Sequence, residues 1–110
     1  MAPHMHLRGK WFKFELLTPD GKRETLLSVP SYDFNWQTSY TLAEPRHIPA
    51  GSWMLCTGGF DNSAKNPSNP DPAARAHWGP QSWNEMFMGF ITLAEPGAAD
   101  ARSDNRDVAP

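Results

Sequence analysis

A chain of 110 residues, 39% of them hydrophobic, holds at most one domain with a modest core, and a formal net charge of −2 without a basic stripe argues against a nucleic-acid partner. No apolar run approaches the ~20 residues needed to span a bilayer, no basic-then-apolar leader opens the chain, and the single cysteine, Cys56, has no internal partner for a disulfide. Eleven Pro and eight Gly, set mostly between apolar runs, favour short strands joined by turns over helices.

The first element is the extended run His4-Met5-His6-Leu7-Arg8-Gly9-Lys10. Side chains alternate across a strand, so His4 and His6 point to one side, where a single small metal ion could be gripped by both rings. A bare H-x-H is a weak motif, and a surface pair or a cloning remnant has the same pattern. Residues 10–17 alternate, with Phe12, Phe14 and Leu16 on one face and Trp11, Lys13 and Glu15 on the other, which predicts a half-buried strand. Thr18-Pro19-Asp20-Gly21-Lys22 is a turn, because Pro fixes one φ and Gly accepts a positive one. Residues 23–29 return, closing a hairpin over 10–29.

Residues 32–40 alternate again, with Tyr32, Phe34 and Trp36 against Asp33, Asn35 and Gln37. Residues 43–51 are a Pro-containing connection, and residues 52–57 are a short apolar strand carrying Cys56. Residues 61–80, broken by Asn66-Pro67, Asn69-Pro70 and Asp71-Pro72, form a long loop of the kind that is functional or disordered. Residues 85–93 give a closing apolar strand. Residues 94–110 have almost nothing to bury and are expected to be a disordered tail outside the domain of residues 1–93. Five or six antiparallel strands predict an all-β, jelly-roll-like β-sandwich. A metal motif at the extreme front of a chain is poorly held, because termini fray. The fold is therefore expected to be incomplete at its N-terminus.

The closing strand offers a third ligand. Met86 and Met88 share a face by period 2, and one thioether with two imidazoles makes a set soft enough for Cu(I) yet able to bind Cu(II). Apolar core filling is the competing reading for both Met residues. His47 and His77 are expected to face solvent. Asp61, Asn62 and Asp71 offer hard oxygens, but their spacing fits no EF-hand, and Asx residues in Pro-rich loops cap turns. Cys56 is expected to act as a small buried hydrophobe.

With these residues in view, the chain resembles the C-terminal domain of the copper type II, ascorbate-dependent monooxygenases, the family of peptidylglycine and dopamine β-hydroxylating enzymes, and most closely its bacterial branch. The resemblance covers residues 3–93. It rests on His4-x-His6-x-x-Gly9, Pro19-Asp20-Gly21-Lys22-Arg23-Glu24, Tyr32-Asp33-Phe34-Asn35-Trp36-Gln37, Phe60-Asp61-Asn62-Ser63 and Trp83-Asn84-Glu85-Met86. It implies that His4, His6 and Met86 hold one copper ion and act in catalysis. It implies O2 and a small-molecule substrate hydroxylated at a C–H bond, with ascorbate as reductant. It further implies a second copper in a partner domain of a longer parent chain, and an extracytoplasmic location if that parent is exported. The peptidylglycine enzymes clamp a substrate carboxylate with Arg, Asn and Tyr where this chain has Ala2, Met88 and Phe90, so a peptidylglycine substrate is not expected. The readings that compete with a monooxygenase half are a non-catalytic copper-binding module and a metal-free β-sandwich with Trp11, Trp36, Trp78 and Trp83 as core or ligand platform.

Overall fold

Residues 1–95 are described by the computed structural model, and they form an all-β fold of two antiparallel sheets with no helix. The strands are β1 (Ala2–Met5), β2 (Gly9–Leu17), β3 (Arg23–Val29), β4 (Trp53–Phe60) and β5 (Phe87–Phe90). One sheet has the order β3-β2-β4, and the other pairs β1 with β5.

Alternation along β2 builds the core. Phe12, Phe14 and Leu16 are 0%, 0% and 1% exposed, as their spacing predicts. Their cross-strand partners on β4 are Gly58, Cys56 and Met54, so these line the same inner face. The β2–β3 hairpin closes as expected: Gly21 has φ of 85°, its N–H donates to Thr18 O at 2.9 Å, and Thr18 N–H donates to Lys22 O at 2.9 Å. On the outer face Arg23 holds Glu15 with two hydrogen bonds of 3.0 and 2.7 Å. Those bonds, chiefly, hold the Glu15 carboxyl below its usual range.

The two sheets meet face to face. Pro3 and Met5 on β1 lie opposite Gly89 and Phe87 on β5, and these four form the inward face of the small sheet. Met5 is 0% exposed within the cluster of Phe12, Phe14 and Tyr32. The Phe87 ring stacks on Phe12 at 4.6 Å between centroids and 14° between planes. Gly89 brings the sheets close: a Cβ there would lie 2.5 Å from Cys56 Sγ and 2.9 Å from Phe14 Cε1.

Several elements differ from the sequence-based expectation. The final strand is four residues, Phe87–Phe90, and β4 runs on to Phe60. Residues 32–40 form no strand despite their alternation. Asp33 starts a turn instead, accepting from Asn35 N–H on its Oδ1 at 2.9 Å and from Trp36 N–H on its backbone O at 3.0 Å. Trp is absent from the core: exposure runs from 39% at Trp11 to 78% at Trp36. Five strands are described, against the eight of a full jelly roll. Most of the expected tail, residues 96–110, lies outside the described residues.

Gly89→Ala should force the two sheets apart and lower stability by about 1–3 kcal/mol, the usual cost of overpacking. Urea unfolding of the two proteins checks it; equal midpoints would contradict the close sheet contact.

Candidate metal centre

The register of β1 with β5 sets His4 opposite Met88 and Met5 opposite Phe87. One step further along both chains sets His6 opposite Met86, and His6 N–H donates to Met86 O at 3.4 Å. Because Met5 and Phe87 face the core, His4, His6, Met86 and Met88 share the outward face.

The front segment is tied on its other edge as well. Met5 turns its backbone N–H and C=O away from β5, and the Tyr32 hydroxyl accepts from the first at 3.0 Å and donates to the second at 2.8 Å. Met1 and Tyr40 exchange two further bonds, of 2.7 and 2.8 Å. Pro3 falls between these points on the same edge, where its missing N–H leaves no gap in the β1–β5 ladder. Fraying, expected for a site so near Met1, is countered by these bonds to residues 32–40, which cross over β1 as a strap.

The two imidazoles lie edge to face with centroids 5.2 Å apart. His4 Nδ1 is 2.7 Å from Gln37 Oε1, and His6 Nδ1 is 3.2 Å from the backbone O of Asn84. Gln37 gives its amide N–H to Phe34 O at 3.0 Å, which turns its oxygen toward His4. A carbonyl oxygen only accepts, so each ring donates from Nδ1, and in the neutral imidazole that leaves the lone pair on Nε2. The rings differ in environment: His6 is 4% exposed with the Phe34 ring edge-on at 6.1 Å, while His4 borders an open cleft of about 150 Å³ with Gln37, Thr38, Ser39 and Phe90.

The segment that carries Met86 is pinned from behind. Arg8 is 3% exposed. Its Nε donates to Asn69 Oδ1 at 3.0 Å and its Nη1 to Trp83 O at 2.7 Å. The same Nη1 lies 3.5 Å from Glu85 Oε1, an ion pair without a hydrogen bond, and both Glu85 oxygens are buried and unbonded. Burial pushes the Glu85 carboxyl up, and Arg8 pulls it partly back. Glu85 also bonds through its backbone to His77 O at 2.8 Å and from Gly79 N–H at 3.2 Å. Met86 itself is half-buried, whereas Met88 is 43% exposed.

The remaining candidates stand apart. His47 and His77 are exposed. Asp61 and Asp71 each accept a backbone N–H two residues on, capping the turns of the long loop. Cys56 is half-buried against the core, and burial pushes its thiol up. No group of three or more His, Cys, Asp or Glu gathers among the described residues. Comparison with protein-family models, curated proteins and solved structures finds no match to this chain. Gln37 and Asn84 are partners of the two rings that sequence spacing did not single out, because they are 33 and 78 residues distant.

Arg8→Met leaves Glu85 half-enclosed without its cation and should cost about 3 kcal/mol at pH 7, the low end for a broken buried pair because Glu85 retains some solvent contact. Loss of the cation raises the folded-state value of Glu85 further, so the penalty is largest at high pH and shrinks as protonation sets in on acidification. Urea unfolding at pH 7 and pH 5 checks it; a loss that grows toward pH 5 would contradict this account.

Proposed function

We propose that this domain is the copper-holding, oxygen-activating half of an ascorbate-dependent monooxygenase that hydroxylates a substrate C–H bond. The observation that carries the reading is the pair of imidazoles on one outward face, each with Nδ1 bound to an oxygen acceptor and Nε2 free. The motif resemblance over residues 3–93 points to the same residues, with Met86 as the third ligand.

The donor set fits the group. Two neutral imidazoles and a thioether match the softness of Cu(I) and still accept Cu(II). When bound, copper supplies the redox chemistry with O2 that no side chain here provides. The residues of the chain do the rest. Gln37 and Asn84 hold the rings in the ligating tautomer. Phe34 keeps water from one side of His6. The Arg8 cluster fixes the backbone on which Met86 sits. The cleft beside His4 gives a small substrate a way in, and it carries no Lys, Arg, Asp or Glu. With Ala2 and Phe90 among its walls, a carboxylate would find no cation there. A substrate without an anionic anchor at that point follows. A second copper domain and ascorbate belong to the same reading, and so does a jelly-roll completed by chain beyond the five strands described.

X-ray absorption of the Cu(I)-loaded protein tests the site. The expected spectrum has two nitrogen ligands and one sulfur, with the sulfur shell lost in Met86→Leu and retained in Met88→Leu. A wild-type spectrum with no sulfur, or one that Met86→Leu leaves unchanged, overturns the assignment. Binding should also raise stability by about 2.7 kcal/mol at a free Cu(I) concentration one hundred times Kd, readable as a shift in the thermal midpoint.

A further inference from the structure

Gln37 makes two polar contacts, and both concern the site. Its amide N–H donates to Phe34 O at 3.0 Å, and its Oε1 faces His4 Nδ1 at 2.7 Å. The side chain is exposed and belongs to no core cluster. Its neighbours on the strap, Trp36, Thr38 and Ser39, are also exposed. Little burial is therefore available to explain why this stretch lies over β1. The strap is anchored at its ends, by Tyr32, which is buried in the core cluster with Phe34 packed against it and bonds Met5 through its hydroxyl, and by Tyr40 on Met1, and Gln37 sits between these anchors at the level of His4.

The Phe34 carbonyl decides how the Gln37 amide is turned. It can only accept, so the amide nitrogen must face it and the amide oxygen must face His4. His6 needs no such device, because its acceptor is a backbone carbonyl. His4 lies on the open cleft and would otherwise exchange its Nδ1 proton partner with water.

The geometry points to Gln37 as the positioning residue of His4: the strap delivers a single acceptor that locks the proton on Nδ1 and presents Nε2 to the metal. This rests on the copper reading above, which it deepens. An acceptor behind a metal-bound imidazole fixes its tautomer and orientation and raises its basicity, and losing one costs about ten- to a hundredfold in metal affinity. Gln37→Leu removes the acceptor at nearly constant size. Gln37→Glu keeps an acceptor at that point and adds a charge.

Two measurements on wild type, Gln37→Leu and Gln37→Glu test it, with urea unfolding confirming that all three are folded. The first is the 15N chemical shifts of the His4 ring in the metal-free protein above the imidazole titration. The Nδ1–H form is expected in wild type and Gln37→Glu, and a shift toward Nε2–H in Gln37→Leu. The second is Cu(I) affinity by competition with a chromophoric chelator, expected to fall by about ten- to a hundredfold in Gln37→Leu and to hold in Gln37→Glu. Wild-type binding with equal affinity in Gln37→Leu overturns this inference and leaves the copper site standing. A His4 tautomer unchanged by Gln37→Leu does the same. Wild-type protein that holds no Cu(I) overturns the copper reading, and the role given to Gln37 falls with it.

Discussion

Phe87 lies nearly flat on Phe12, and Gly89 lets the backbone beside it approach Phe14 and Cys56. This contact holds the two sheets together and also decides which way the small sheet faces. Once Phe87 and its partner Met5 turn inward, the period of a strand leaves no choice for their neighbours. His4, His6, Met86 and Met88 must turn outward together. A slip of one residue in either strand would turn the imidazoles toward the large sheet and Met5 away from it. The packing of apolar side chains between the sheets thus sets the geometry of polar ones on the opposite face.

A two-stranded sheet is weak on its own, and β1 is only four residues long. Three sources of support make up for this. The core contact holds one face. The ladder to β5 holds one edge. The strap of residues 32–40 holds the other edge through Tyr32 and Tyr40, in bonds that use the backbone groups β5 leaves free. The Tyr32 hydroxyl is notable for serving as both donor and acceptor to one residue, standing in for a strand. Desolvation pushes its pKa above the usual range, so it stays protonated and able to donate across neutral pH.

The strands of the large sheet were legible in the sequence because each carries a local signal. Phe12, Phe14 and Leu16 alternate, and Pro19-Asp20-Gly21 is a turn by composition. The pairing of His4 with His6 was legible for the same reason, since i and i+2 on extended backbone share a face. Residues 32–40 show where local signals end. Their alternation is as clean as that of β2, yet Asp33 caps a turn and Trp36 is left in solvent. Alternation is necessary for a half-buried strand, but a strand also needs a ladder of backbone bonds, and this segment meets the β1 edge only through the Tyr32 hydroxyl and the backbone of Tyr40. The sequence leaves Trp open between core and ligand platform, because burial follows from where the sheets meet, which composition does not reveal. The outer-sphere partners Gln37 and Asn84 depend on contacts across 33 and 78 residues, and no spacing rule reaches that far.

The proposed ligand set is neutral, and its surroundings divide by charge. Around the cleft beside His4 there is no charged side chain. An ion pair is held behind the site, where Arg8 faces Glu85 beneath the chain that leads into Met86. A cation held by neutral imidazoles and a thioether is favoured in its lower charge state, because each additional unit of charge must be stabilised without a carboxylate ligand. The buried Glu85 does not alter this, since its charge is set against that of its partner Arg8. In the proposed site the polar framework would therefore act on position and tautomer, while the electrostatic preference for the reduced ion would come from the proposed ligands.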